Sequence, residues 1–258
     1  MAALTKNYDI ASFAWTAIST AEQTVLAPPA GKRWSPLDLG SDLLAWWDAS
    51  QGVATSGSAV TGWTDRKNGY NPTQGFGASR PAFSANGFGG GPCIVTDGAD
   101  DYLELAVSPF PTGSVGTEFW IVCQSTAADA VTRAVFGYGS GVFTRAVQRT
   151  TTNKAQGAGS DGSILRTATT AEDVPANRCL LRFRCTPTLL AMSIDGGPET
   201  TNAAVPNSNN TRVRIGCAPI SSANFFHMGS IAHIAVTNLL APAKGASTQT
   251  FFLKERRL

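Results

Sequence analysis

Residues 178–198 read RCLLRFRCTPTLLAMSIDGGP and contain two consecutive strand signals. In the first eight residues, arginine and leucine alternate with cysteine, leucine and phenylalanine, which is the two-residue period of a β-strand. A second run, Leu189–Ile194, is apolar and leads into Asp195-Gly196, a pair that adopts the positive φ angles of a tight hairpin. The stretch therefore predicts two strands, with a hairpin at the end of the second.

The rest of the chain repeats this pattern of short apolar runs separated by turns. The strongest runs, Phe119–Cys123 and Ile231–Val236, have the length of single strands, and 26 glycines and 14 prolines interrupt the 258 residues. Long helices do not tolerate so many breakers, and no run approaches the roughly 20 apolar residues that cross a bilayer. About ten to twelve short strands without alternating helices indicate an all-β sandwich of antiparallel sheets. The tail from Ala246 to Arg257 predicts a short C-terminal helix.

Charge and cysteine content exclude several classes of protein. The 20 lysines and arginines against 18 acids give a net charge of +2, which argues against a nucleic-acid binder or a membrane-surface binder. The five cysteines are odd in number and form no C-x-x-C pair, so the sequence predicts free thiols rather than a disulfide framework or a zinc ribbon. The N-terminus lacks the pattern of a signal peptide.

Residues 1–38 differ from the rest and predict an N-terminal arm followed by a proline-rich linker, with the sandwich domain at 39–258. Prolines 28, 29 and 36 end regular structure in this segment, which is too short to build a core alone. Its large apolar side chains are candidates for contacts with a partner. They are Phe13, Trp15, Ile18 and Trp34.

The sequence predicts no catalytic residues, no metal site and no cofactor. The Glu-x-Asp-x-x-Glu motif of sandwich-fold glucanases is missing, and the two histidines, His227 and His233, cannot form a three-histidine zinc site. The segment 157–162 matches G-x-G-x-x-G by letter, but it follows no apolar strand and is interpreted as a loop.

One acidic cluster stands out, and it is interpreted first as a turn. Asp97, Asp100, Asp101 and Glu104 lie within eight residues, and Asp97-Gly98 tolerates the backbone angles of a turn. Calcium, which needs six to eight oxygen ligands, is the alternative occupant.

Several segments together resemble a concanavalin A-like (laminin-G-like) jelly roll, over about residues 40–258. They are LAWWDAS (44–50), VTGWTDR (60–66), Arg80-Pro81, DGADDYL (97–103), SIDGG (193–197) and GSIAHIAVTN (229–238). The resemblance implies a jelly-roll sandwich of two antiparallel sheets. This style of the domain is similar to those found in tailed-bacteriophage fibres, head spikes and decoration proteins.

The resemblance implies a non-enzymatic structural protein of the virion. Its arm would attach to capsid or tail proteins, several copies, for example three, would assemble, and the sandwich would bind host-surface polysaccharide. Two alternatives remain open: a stand-alone bacterial lectin-like protein, and a polysaccharide-degrading enzyme with an unrecognised site. The same fold hosts all three functions, so it does not decide between them.

Candidate sugar contacts are Trp47 and the carboxylates of Asp97, Asp100 and Asp101. Trp46 and Trp47 point to opposite faces of a strand, so one of them at most lies in the core, and an exposed tryptophan can stack on a sugar ring.

A set of arginines on two strands forms a further surface. They are Arg178, Arg182, Arg184, Arg212 and Arg214. If the strands were neighbours, this face could bind an acidic partner. We favour an ordinary solvated face whose arginines pair with the acids of residues 38–65.

Overall fold

The protein is a nearly all-β sandwich in the computed structural model, which describes residues 33–126, 129–141, 143–160, 162–220 and 225–256. The strands are β1 (Leu43–Asp48), β2 (Val53–Ser56), β3 (Ala59–Trp63), β4 (Ala82–Phe88), β5 (Gly91–Asp97), β6 (Leu103–Leu105), β7 (Thr117–Ser125), β8 (Arg133–Ser140), β9 (Phe143–Arg149), β10 (Lys154–Ser160), β11 (Leu165–Asp173), β12 (Cys179–Cys185), β13 (Leu189–Ile194), β14 (Thr200–Ala203), β15 (Val213–Ile215) and β16 (Met228–Asn238). Short 3₁₀ helices cover Pro36–Asp42 and Gly77–Ser79, and helix α1 covers Pro242–Glu255. None of these described helices is long and apolar enough to span a membrane.

The strands form two antiparallel sheets, which confirms the predicted architecture. The large sheet has ten strands in the order β14-β13-β12-β7-β16-β5-β4-β3-β2, with β1 also paired to β16. The small sheet has six strands in the order β11-β10-β9-β8-β15-β6. The predicted hairpin joins β13 to β14, and both Asp195 (φ 55°) and Gly196 (φ 75°) have the positive φ that such a turn requires.

The main core lies between the two sheets and is rich in aromatic rings. Phe119 of β7 packs edge-on against Phe136 of β8 at 5.2 Å and against Phe183 of β12 at 5.5 Å between ring centroids. All three side chains are fully buried. Phe119 thus contacts the small sheet and its own sheet at once, which ties the two layers together.

A second apolar layer covers the outer face of the large sheet. Trp120 and Leu180 project from this face and are buried, and the Phe252 ring of α1 stacks on Trp120 at 6.5 Å. The predicted terminal helix is therefore confirmed, although it begins at Pro242 rather than Ala246. Because both faces of β7 are buried, that strand is almost continuously apolar instead of alternating.

The structure tests two further predictions, the glycine-rich loop and the free cysteines. Residues 157–160 belong to strand β10 and not to a loop, and a Cβ atom on Gly157 would lie 2.1 Å from the Phe183 ring. The glycines of this segment therefore allow the sheets to approach each other, which explains why they resemble a phosphate loop only by letter. The five cysteines are free and buried, as predicted.

The N-terminal arm falls largely outside the described residues, which begin at position 33. Phe13, Trp15 and Ile18 lie outside them, so their predicted attachment role stays a prediction. Trp34 lies within them and is half-buried, with its ring packed edge-on against Phe251 of α1 at 5.8 Å.

Candidate functional site

A pocket of about 390 Å³ opens on the outer face of the large sheet, beside the end of α1. We call it the helix–sheet pocket. Its walls are Trp34, Trp46, Asp48, Arg66, Phe88, His233, Phe251 and Glu255, together with Arg33, Ser35, Ser50, Gln51, Gly91, Pro92 and Ala232. These residues come from positions 33–92 and 232–255, so only the folded protein brings them together.

Aromatic rings form one side of the helix–sheet pocket. The Phe251 ring lies edge-on to Trp34 at 5.8 Å and to Trp46 at 5.9 Å, and Trp46 stacks on the His233 imidazole at 6.5 Å. Trp46 faces the pocket because it sits on the outer face of β1, opposite to the core. Rings in such an arrangement offer apolar faces and edges to a ligand.

Arg66 and Asp48 form a fixed ion pair in the pocket wall. The Arg66 guanidinium lies 4.2 Å from the centroid of the Trp46 ring and donates a 2.8 Å hydrogen bond to Asp48 Oδ2. The other oxygen, Oδ1, accepts hydrogen bonds from the backbone N–H (2.9 Å) and the hydroxyl (2.6 Å) of Ser50. Asp48 ends strand β1, and these contacts hold its carboxylate in one orientation.

His233 lies between two carboxylates on the pocket floor. Its Nδ1 is 3.7 Å from Asp48 Oδ1, and its Nε2 is 3.9 Å from Glu255 Oε2. Both distances are too long for direct hydrogen bonds. Burial lowers the pKa of His233 to about 4, against the opposing effect of Asp48, so the imidazole is neutral at pH 7. Burial also raises the pKa of Glu255, partly offset by Arg33.

Two buried polar atoms of the pocket residues have no hydrogen-bond partner among the described residues. They are the Nδ1 of His233 and the indole Nε1 of Trp46. Leaving a buried polar group unpaired costs about 1–3 kcal/mol. Both atoms belong to side chains that line the helix–sheet pocket, and each atom is itself closed to solvent.

Trp47, the predicted sugar-stacking residue, does not lie at a surface. Its side chain is fully buried and packs against Phe110 at 6.3 Å and Phe136 at 6.1 Å in the main core. The prediction of an exposed Trp47 was wrong, because the side of β1 that carries Trp47 packs into the main core. The prediction that at most one of the two tryptophans is in a core was also wrong: Trp46 lines the helix–sheet pocket but is only 2% exposed and belongs to the second apolar layer.

The structure brings Asp97, Asp100 and Asp101 together, with their carboxylate oxygens within 4.8 Å of one another. Asp97 Oδ1 accepts from the backbone N–H of Ala99 at 2.8 Å, and Asp101 Oδ2 accepts from that of Asp97 at 3.0 Å. These bonds give the turn that was expected. Burial, followed by repulsion from the two neighbouring carboxylates, raises the pKa of Asp101 to about 6. The cluster is not part of the helix–sheet pocket, and its sugar contacts stay a prediction.

The arginine face divides between the two sheets. Arg182 and Arg184 of β12 pair with Glu118 and Glu199 in the large sheet. Arg212 and Arg214 of β15 pair with Glu104 in the small sheet. The predicted pairing with acids is confirmed for these four, but Arg214 is buried rather than solvated, and the expected partners in residues 38–65 were wrong. Neighbouring strands provide acids instead, as with Arg214 and Glu104, which face each other in the register of β15 and β6.

Comparison with known proteins finds solved structures that share the β-sandwich fold of this chain. No protein-family model matches the chain, and no curated protein matches its sequence. The chain is similar in fold to domain 4 of an arabinanase. That domain belongs to AbnA, a GH43 extracellular enzyme from Geobacillus stearothermophilus, solved in complex with arabinotriose. The TM-score is 0.58 at 12% identity, over 82% of this chain and 98% of that one.

Two further solved structures share the fold over part of their length. A GH54 α-L-arabinofuranosidase gives a TM-score of 0.57 at 11% identity, over 77% of this chain and 51% of that chain. Trypanosoma rangeli sialidase gives 0.51 at 13% identity, over 91% of this chain and 37% of that chain. The chain thus spans about half of the first enzyme and little more than a third of the second. At these identities the similarity shows a shared β-sandwich fold.

Proposed function

We propose that the protein is a non-enzymatic glycan-binding module whose ligand occupies the helix–sheet pocket. The observation that carries the proposal is the pair of unpartnered buried atoms, Trp46 Nε1 and His233 Nδ1, in a pocket walled by aromatic rings. Sugars combine apolar ring faces with hydroxyl groups, so they suit stacking surfaces and unpaired polar atoms at the same place. The fold shared with an arabinanase domain solved with arabinotriose supports the same class of ligand.

Binding without turnover fits the state of the pocket carboxylates. Asp48 already accepts hydrogen bonds from Arg66 and Ser50, and its side chain is only 6% exposed. A glycosidase needs two carboxyl groups free to reach the two sides of one glycosidic bond. Here one carboxylate is fully engaged and the imidazole of His233 lies between the two.

The virion role stays a prediction. It depends on the arm at residues 1–38, of which only residues 33–38 are described, on an assembly of several copies and on capsid or tail partners. A glycan-binding module is compatible with that setting and with a free lectin-like protein.

The test is titration calorimetry of the full chain with arabinotriose and a panel of plant and bacterial oligosaccharides. Two variants probe the pocket: Trp34→Ala removes the half-exposed ring, and Trp46→Phe keeps a ring but removes the indole N–H. We expect each variant to raise the Kd of the bound sugar about tenfold or more, in line with the loss of a stacking ring or of a buried hydrogen bond.

Phe76→Ala is the matched control, because Phe76 is 76% exposed and does not line the pocket. It should leave the Kd unchanged. Chromatography of the sugar after long incubation should show no cleavage products. The proposal fails if no oligosaccharide saturates the protein, if neither pocket variant changes the Kd, or if the sugar is cleaved.

A further inference from the structure

A second pocket lies at the turn between β4 and β5, whose residues also contribute to the helix–sheet pocket. It is shallow and open, with a volume of about 510 Å³, and we call it the arginine pocket. Its lining residues are Gly89, Gln124, Asn177, Arg178 and Arg256. Three of these residues are neutral and two are arginines, so none of the residues that line the pocket is acidic.

Arg178 is held in this pocket by uncharged groups alone. Its Nη1 donates a 3.2 Å hydrogen bond to the carbonyl oxygen of Phe88, and its Cζ lies 5.2 Å from the centroid of the Phe88 ring. A Cβ atom on Gly89 would lie 2.2 Å from that Cζ, so the guanidinium rests directly on the glycine backbone. The absence of a side chain at position 89 makes this arrangement possible.

The charge of Arg178 is not neutralised by any carboxylate of the described residues. The other four members of the predicted arginine set each pair with a glutamate, and Arg256 pairs with Asp195. Arg178 uses one of its five N–H groups in its described hydrogen bond, to Phe88, which leaves a donor fork for an anion. Arginine binds carboxylate and sulfate groups through two parallel hydrogen bonds.

Consecutive residues line the two pockets at two places in the fold. Phe88 lines the helix–sheet pocket and Gly89 lines the arginine pocket, and the same holds for Glu255 and Arg256 at the end of α1. The two pockets are therefore neighbours at the β4–β5 turn and at the end of α1.

We infer that the natural ligand is an acidic glycan, with one sugar ring in the helix–sheet pocket and an anionic group of the adjoining unit on Arg178. The anionic group is a carboxylate, as in a uronic or sialic acid, or a sulfate ester. The inference rests on the proposed function, because the helix–sheet pocket supplies the stacking contacts that hold the first ring. It adds to that function a class of ligand and the residue that selects it.

Matched pairs of ligands that differ only in charge test the inference on the full chain. Trigalacturonate is compared with its methyl ester, sialyllactose with lactose, and sulfated lactose with lactose. We expect the acidic member of at least one pair to bind about tenfold tighter or more, and this advantage to shrink as salt is raised. The pair that responds identifies the anionic group as a uronate, a sialic acid or a sulfate.

Three variants locate the selectivity. Arg178→Gln should abolish the preference for the acidic member while leaving the Kd of the neutral member unchanged, and Arg178→Lys should retain part of it because the charge remains but the fork is lost. Arg166→Gln is the matched control, since Arg166 is exposed on β11 of the small sheet. It should keep the full preference.

The outcomes separate this inference from the proposed function. If neutral and acidic sugars bind equally and Trp34→Ala weakens both, the glycan-binding function stands and the acidic ligand is wrong. If the acidic preference persists in Arg178→Gln, the assignment to the arginine pocket is wrong. If none of the sugars binds, both proposals fail together.

Discussion

His233 and Asp48 face each other across strands β16 and β1, and His233 Nδ1 lies 3.7 Å from Asp48 Oδ1 without a direct hydrogen bond. The imidazole is buried, and burial outweighs the attraction of the carboxylate, so the pKa of His233 falls to about 4. Arg66, which pairs with the same carboxylate, also lowers it. The His233 imidazole is therefore neutral at pH 7, and its protonation opposes folding.

The first prediction is a loss of stability in acid that depends on His233. An unfolded histidine binds a proton near pH 6.5, whereas His233 in the folded protein binds one only near pH 4. Between these pH values His233 binds a proton in the unfolded state but not in the folded state. The free energy of unfolding therefore falls as the pH drops from about 7 to 4. The full effect of one such group is about 3 kcal/mol.

Urea unfolding of the wild type and of His233→Phe at several pH values between 7 and 4 measures this effect. Asp101 acts in the opposite direction, because its pKa is raised to about 6 and its protonated form favours the fold. Its contribution, and that of His227, whose pKa is also lowered to about 4, cancel in the difference between the two proteins. A difference that does not change with pH would contradict a neutral His233.

The second prediction concerns the core that joins the two sheets. Phe119→Ala removes a fully buried ring that packs against Phe136 and Phe183, so we expect a loss of about 3–5 kcal/mol in the free energy of unfolding. The same substitution at Phe76, which is 76% exposed, should cost no more than about 0.5 kcal/mol. Chemical denaturation compares the two, and equal losses would mean that Phe119 is not the contact between the layers.

The third prediction tests the close approach of the sheets at Gly157. A Cβ atom there would lie 2.1 Å from the Phe183 ring, so Gly157→Ala should destabilise the protein by about 1–3 kcal/mol through overpacking. Gly75→Ala is the matched control, since no atom lies within 4 Å of its added Cβ. Thermal unfolding of the two variants checks the difference. A stable Gly157→Ala protein would show that the strands can separate without cost.

The fourth prediction is that the thiols resist modification in the native protein. All five cysteines are buried, and burial raises the pKa of Cys93 and raises that of Cys185 to about 11. Thiolate is the reactive form, so both access and ionisation oppose the reaction. Ellman's reagent should titrate fewer than one thiol per chain at pH 8 in buffer and all five in guanidinium chloride. Rapid reaction of several thiols in buffer would place them at the surface.

Much of the fold follows from the sequence because the signals are local. The alternation in residues 178–185 predicted β12, the apolar run at Leu189–Ile194 predicted β13, and Asp195-Gly196 predicted the hairpin that follows. Each of these features depends on side chains within a few residues of one another, so the pattern along the chain is sufficient.

The sequence also showed that Trp46 and Trp47 lie on opposite faces of one strand, but the face that meets the core was decided by the tertiary structure. Alternation is symmetric, and only the pairing of β1 with β16 turns Trp47 inward and leaves Trp46 under α1. The acids that neutralise the arginines were likewise set by strand register, which no local pattern contains.

The candidate site could not be predicted from the sequence, because its residues come together only in the folded chain. The helix–sheet pocket combines Asp48, Arg66, His233 and Glu255, which are far apart in sequence and have no common motif. Composition and spacing determined that this is an all-β sandwich with a terminal helix and free thiols. The tertiary structure alone decided where polar atoms are buried without partners and which member of the predicted arginine set lacks a carboxylate among the described residues, because burial and ion pairing depend on neighbours that only long-range packing supplies.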